Sequence, residues 1–180
     1  MNWKKINMAI LISVSSIVCA QNIEASPQGI KANFSEKSIL AYQENSQHKI
    51  AEFYEYLTLY SNEKNPELRK QIQSNILSMV SSKEIEVLDF TDSATNLIDL
   101  SELLEKIKNQ DYKFEIDEME SSENISLYEW ENSYQLKISK GENFQIRSIS
   151  QCIIFEPLEK KFGKKSKLVW EMKLDEMFED

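Results

Sequence analysis

The segment Tyr112-Lys113-Phe114-Glu115-Ile116 decides the fold, because it marks the point at which the hydrophobic repeat of the chain changes. Before Gln110, apolar residues recur every three or four positions, as they do in an amphipathic helix. After Gln110 they alternate with polar residues, as they do in a strand with one buried face. The sequence therefore predicts helices first and antiparallel strands afterwards, an α+β fold with the helices packed on one curved sheet.

Three helices are predicted before this change. The first covers residues 35–62, and the second starts at Asn65-Pro66, where a capping side chain precedes a proline, and continues to about Val80. The third follows a capping box of Asp99 and Glu102. The buried faces of the three helices are predicted to consist of Ile50, Phe53, Leu57, Tyr60, Leu68, Ile72, Ile76, Met79, Leu100, Leu103, Leu104 and Ile107.

Strands are predicted over residues 84–90 and at several places after Gln110. The alternating face shifts near Trp130, which indicates a bulge or a bend there. Residues 157–166, with Gly163 and four lysines, are predicted to be a solvated loop between the last two strands. A soluble loop tip accounts for these lysines better than a nucleic-acid site does. One core is expected to contain Phe53, Leu57, Leu104, Ile154 and Trp170.

The first twenty residues have the pattern of an export signal. Two lysines precede an apolar run over residues 8–19, and Ala20 is the predicted signal peptidase site. The run would span about 18 Å as a helix, less than the roughly 30 Å of a bilayer core, which disfavours a membrane anchor. Lipidation of Cys19 is the alternative processing. The expected product is a periplasmic or extracellular chain with no integral membrane span, a flexible tether over residues 21–34 and a single domain over residues 35–180.

The chain is acidic, with 21 basic against 30 acidic residues and a formal net charge of −9. Loss of residues 1–20 would remove two lysines and no acid, which changes this charge to −11. Nucleic acids and anionic lipids are bound chiefly through Lys and Arg, so the overall charge argues against a nucleic-acid partner. The expected partner is an envelope protein or a small ligand, and an acidic inhibitor or immunity protein is an alternative.

Three segments carry a family resemblance: residues 50–54 (Ile-Ala-Glu-Phe-Tyr), the helix over residues 100–107, and the closing hairpin of residues 152–155 and 168–172. They resemble the nuclear transport factor 2-like superfamily, whose members include ketosteroid isomerase and relatives of limonene epoxide hydrolase. The resemblance implies a cone-shaped α+β domain. The export signal and the segment 77–82 (Leu-Ser-Met-Val-Ser-Ser) also resemble small exported proteins of unknown function from Bacteroides-like bacteria.

Enzymes of that superfamily place acids and tyrosines inside the cone, and no position of this chain matches such a motif. The single histidine, His48, is expected on the surface of the first helix. Glu115 and Asp117 alternate with apolar residues, as on an outer sheet face. The sequence thus predicts no catalytic residue, no metal site and no cofactor. The function expected is non-enzymatic binding, and an isomerase, hydrolase or lyase is the alternative.

Four aromatic residues are the candidates for a ligand site. Tyr128, Trp130, Tyr134 and Trp170 are expected to line the cone, where they would bind an apolar or sugar-like ligand or pack as core. Non-enzymatic function also predicts that no cavity of roughly 300 Å³ or more holds an ionisable side chain with a strongly shifted pKa.

Overall fold

The computed structural model describes residues 29–92 and 96–179. Helices are followed by a curved antiparallel sheet, so the α+β class predicted from the sequence is confirmed. The elements in chain order are α1 (Ile30–Asn33), α2 (Glu36–Asn62), α3 (Pro66–Met79), β1 (Glu86–Leu88), β2 (Leu97–Asp99), α4 (Leu100–Ile107), β3 (Tyr112–Ser121), β4 (Glu129–Lys140), β5 (Asn143–Phe162) and β6 (Lys165–Glu179).

The main sheet is a meander in which each strand pairs with its neighbour in sequence, in the order β3-β4-β5-β6. Strands β1 and β2 form a separate antiparallel pair. The apolar stripe of α2, with Ile50, Phe53, Tyr54 and Leu57, is fully buried in the core. The helices therefore cover one face of the sheet, and the opposite face carries polar pairs such as Ser133 with Ser150.

The starts of the two long helices are as predicted. The Ser35 side chain caps α2 by accepting a hydrogen bond from the Ser38 amide, and the Asn65 side chain caps α3 by accepting from the Glu67 and Leu68 amides. These bonds satisfy amides that have no partner within the helix.

The predicted capping box at α4 is absent. Asp99 precedes the helix but makes no side-chain cap bond, because it is the last residue of β2 and pairs with Glu86. The Ile85 carbonyl accepts the Leu100 amide instead, at 3.0 Å. The carbonyl of the residue before β1 thus satisfies the first amide of α4.

The loop predicted over residues 157–166 is wrong. β5 continues to Phe162, β6 begins at Lys165, and Gly163 and Lys164 alone form the turn. Gly163 has a φ of 65°, which glycine adopts without strain. Cross-strand hydrogen bonds hold this polar segment extended, which its composition alone does not reveal.

The bulges also lie elsewhere than predicted. Pairing shifts between Asp117 and Glu120 in β3 and between Gln151 and Ile153 in β5, not at Trp130. Ile153 and Phe155 are buried, whereas Ile154 is half-buried on the other face.

The prediction of one core that contains Phe53, Leu57, Leu104, Ile154 and Trp170 is only partly correct, because Ile154 faces the other side of the sheet. Phe53, Leu57 and Leu104 are fully buried, and Trp170 is partly buried against the core.

The domain includes residues 29–34, where a tether was predicted. Ile30 is buried, and its amide donates to the Leu127 carbonyl at 2.8 Å. Gly29 has a φ of 76°, and a Cβ there would lie 2.9 Å from the Leu127 carbonyl oxygen, so only glycine fits. The rest of the predicted tether, residues 21–28, and the predicted export signal with Ala20 lie outside the described residues.

Candidate ligand-binding cleft

A cleft of about 450 Å³ opens between helix α2 and the hairpin of β5 and β6. Residues of α2 form one wall and residues of β5 and β6 form the other. Ser78, near the end of α3, closes one side. The cleft is open to solvent and contains both aromatic and charged side chains.

Aromatic side chains form the floor of the cleft. The ring of Phe155 lies 5.1 Å from that of Trp170 and 4.6 Å from that of Tyr42, measured between centroids. Phe34 packs behind them, with its ring 4.9 Å from Trp170 at an angle of 80°. Trp170 and Tyr42 are only partly buried, so their rings remain accessible to a ligand.

Glu171 lies between two lysines on the strand wall. Its carboxylate accepts from Lys160 at 2.7 Å and from Lys173 at 2.9 Å. The hydrogen bonds from Lys160, and then those from Lys173, lower the pKa of Glu171 to about 2. Glu171 is therefore ionised at neutral pH and is a poor proton donor or base.

The expectation that no large cavity would hold a group with a strongly shifted pKa is wrong. Extended pairing of β5 and β6 brings Lys160 next to Glu171, whereas the predicted loop would not have done so. The pKa of Glu171 is lowered, whereas the pKa of a catalytic acid is raised. The ion pairs with the two lysines cause the lowering, and burial opposes it.

Lys49 lies on the helix wall and is half-buried. Burial, and then the positive charge of Lys173, lower the pKa of its ammonium group. Within residues 29–92 and 96–179, no acceptor lies within hydrogen-bonding or ion-pairing distance of Lys49. A partly desolvated cation without a direct partner favours binding of an anionic group. His48, beside it, is exposed, as predicted.

The four candidate aromatics occupy two different environments. Trp170 lies on the cleft floor, and Tyr128 contacts it with a centroid distance of 6.1 Å. Trp130 and Tyr134 are buried in the core, with 2% and 3% of their surfaces exposed. Nothing in the sequence marks Lys49, Tyr42 or Glu171, because these positions meet only when the hairpin folds over α2.

The Tyr134 hydroxyl belongs to a buried polar group in the interior of the domain. It lies 3.0 Å from the Tyr54 hydroxyl and donates to Gln151 Oε1 at 3.3 Å. Burial raises the pKa of both tyrosines, so both stay protonated at neutral pH. The partners of the Tyr134 hydroxyl among the described residues are thus a phenol and an amide, and neither is a carboxylic acid.

The thiol of Cys152 is half-buried next to Glu129. Burial, and then the negative charge of Glu129, raise the pKa of this thiol to about 12. The group is therefore protonated and a weak nucleophile. Among the described residues, no cluster of His, Cys, Asp or Glu is placed to hold a metal ion.

No family model matches this chain, and no curated protein matches it either.

In the described ranges, no helix combines the length and the apolar character needed to cross a membrane. The cleft offers binding groups, namely the Lys49 cation with no direct partner in the described part of the chain, the paired Glu171 anion and an aromatic floor.

Proposed function

We propose that this chain is an exported, non-enzymatic domain whose cleft binds a small organic anion with a flat apolar or sugar-like face. The observation that carries the proposal is the half-buried Lys49 ammonium, which has no direct partner among the described residues and shares a cleft with Trp170. The anionic group of the ligand would pair with Lys49, and its flat face would stack on the aromatic floor.

The charge distribution in the cleft supports a ligand of small size and single negative charge. Lys160 and Lys173 are already bound to Glu171, which leaves Lys49 as the cation available for a new partner. Glu52 and Glu171 on the same walls would repel a highly charged anion. A carboxylate on a ring or sugar fits these conditions better than a phosphate does.

A binding role is supported by the state of the ionisable groups. Glu171 is held ionised by two lysines, and the pKa values of Tyr54, Tyr134 and Cys152 are raised, so these three groups are protonated at neutral pH. None of these groups titrates near neutral pH, where a general acid or base works best. The enzymatic alternative remains an outcome of the test below.

We also propose that the domain belongs to the nuclear transport factor 2-like superfamily. The order of its elements supports this: long helices, a two-stranded pair, a short helix and then a four-stranded meander. A solved structure whose strand order or helix placement differs from that family would contradict the proposal.

Export rests on the pattern of residues 1–20 and is likewise a proposal. The mass of the intact protein recovered from the cell envelope or medium tests it. A chain that begins at Gln21 supports cleavage after Ala20, and a diacylated Cys19 supports lipid anchoring. Retention of residues 1–20 contradicts export by this signal.

Calorimetric titration with benzoate and glucuronate, and with glucose as the neutral comparison, tests the cleft. We expect benzoate or glucuronate to bind and glucose not to bind. Lys49→Met should weaken binding of the acid about tenfold or more. Lys64→Met removes the same charge at an exposed position that does not line the cleft, and it is the matched control. Equal binding by Lys49→Met and the parent contradicts the proposal, and chemical conversion of a bound probe would make the chain an enzyme.

A further inference from the structure

The hairpin of β5 and β6 extends beyond the rest of the sheet. Pairing between β4 and β5 stops at Glu129 and Ile154, whereas pairing between β5 and β6 continues to Phe162 and Lys165. Residues 158–168 are all exposed, and we call this segment the lysine arm. The five residues of β5 in the arm, 158–162, give it a length of about 16 Å.

The lysine arm has the opposite charge to the rest of the chain. Residues 160–167 contain five lysines and no acid, although the formal net charge of the chain is −9. Lys160 is paired with Glu171. The other four, Lys161, Lys164, Lys165 and Lys167, form no ion pair with any described residue. The arm, with these four lysines against Glu159, thus carries a concentrated positive charge that no ion pair with a described residue neutralises.

Cross-strand pairs place cations and apolar groups on one face of the arm. Lys160 lies directly opposite Lys167, and Phe162 lies opposite Lys165. Leu158 follows on the same face, because alternate residues of a strand point to the same side. Because Lys160 is paired with Glu171, Lys165 and Lys167 are the cations of this face that an anionic surface would contact.

We propose that the lysine arm docks on the surface of an anionic lipid bilayer. The lysines would contact the charged headgroups, and Phe162, which is 55% exposed, would enter the interfacial region. The exposed Leu158, on the same face as Phe162, favours a bilayer over a nucleic acid, since its aliphatic side chain cannot stack on a base.

The acidic body of the domain does not prevent such docking. A length of about 16 Å exceeds the Debye length of about 8 Å at physiological salt, so repulsion between the body and the membrane is largely screened. The negative net charge of the chain therefore argues against membrane binding by the whole surface. It does not argue against membrane binding by a projecting arm.

Co-sedimentation with phosphatidylcholine vesicles, with and without phosphatidylglycerol, tests the proposal. We expect binding only to vesicles that contain phosphatidylglycerol. The triple variant Lys164→Gln, Lys165→Gln, Lys167→Gln should weaken binding on the order of 100-fold. The matched control changes Lys37, Lys64 and Lys83 to Gln, which gives the same net charge at exposed positions elsewhere and should bind like the parent.

Phe162 separates a bilayer from a soluble polyanion. With Phe162→Trp, we expect the added indole fluorescence to shift to shorter wavelength on anionic vesicles, and Phe162→Ser should bind several-fold more weakly than the parent. Equal binding of the two triple variants to vesicles would overturn the proposal. So would tight binding of a single-stranded DNA oligonucleotide with no binding to anionic vesicles, which would assign the arm to nucleic acid.

Discussion

The Trp130 indole nitrogen donates a hydrogen bond to the Ser46 hydroxyl oxygen over 3.1 Å, and this bond joins strand β4 to helix α2. The same hydroxyl accepts from Asn132 at 2.7 Å and donates to the Gln43 carbonyl at 2.6 Å. All of Ser46 is buried, so one small side chain satisfies two buried donors of the sheet.

Replacing Ser46 by alanine should therefore be costly. The Trp130 and Asn132 donors would be left buried without an acceptor, and each such group costs about 1–3 kcal/mol. We expect Ser46→Ala to lower the free energy of unfolding by about 2–4 kcal/mol, measured by urea denaturation. Ser74→Ala, at an exposed position of α3, is the control and should change stability by less than about 0.5 kcal/mol. Equal midpoints for Ser46→Ala and the parent would show that the bonds contribute nothing.

The two tryptophans of the described domain should differ in their contribution to stability. Trp130 is 2% exposed, and we expect Trp130→Ala to cost about 3–5 kcal/mol, because a large core cavity would remain. Trp170 lies on the floor of an open cleft, so we expect Trp170→Ala to cost about half as much. Chemical denaturation of both variants measures the difference. A larger loss for Trp170→Ala would mean that its ring packs more completely than the cleft geometry allows.

Glu171 should contribute to stability in a defined pH range. Its pKa is about 2 in the folded protein against an ordinary value of 4.5. Because the folded pKa is lowered, the contribution is fully present above about pH 4.5 and is lost as the pH falls toward 2. Urea denaturation of the parent and of Glu171→Gln should show the parent more stable at pH 7 and the gap closing toward pH 2. A gap that widens on acidification would contradict the ion-pair assignment.

The pair of Arg147 and Glu179 should hold the end of β6 in place. The Arg147 side chain is 4% exposed and donates to the Glu179 carboxylate at 2.9 Å. Removal of one partner leaves a buried charge unpaired, which is strongly destabilising. We expect Glu179→Gln to lower the free energy of unfolding by about 1–3 kcal/mol, because Glu179 itself keeps some solvent contact. Glu176→Gln, at an exposed position of the same strand, should have little effect.

Local sequence signals predicted the helices well. The caps Ser35 and Asn65 and the apolar repeat of α2 act within a few residues of the chain, so each can be recognised without knowledge of the fold. The position of α4 followed in the same way from its four leucine and isoleucine residues. The alternation after Gln110 likewise predicted antiparallel strands, and the structure has a meander of four.

Features that depend on strand pairing and packing rather than on local composition were missed. The pairing of Lys160 with Lys167 extends a segment whose composition is that of a loop, and Asp99 makes no side-chain cap bond. The burial of Ile30 depends on a hydrogen bond to Leu127, almost a hundred residues away.

The sequence by itself determined the fold class, the positions of α2, α3 and α4, and the acidic net charge, because these depend on local periodicity and composition. The tertiary structure alone decided the cleft, since Lys49 comes from α2, Trp170 and Glu171 come from β6, and Lys160 comes from β5. It also decided that Trp130 and Tyr134 lie in the core while Trp170 lies at the surface of the cleft. Alternation shows that a residue faces one side of a strand, but whether that side is covered depends on which helix packs against it.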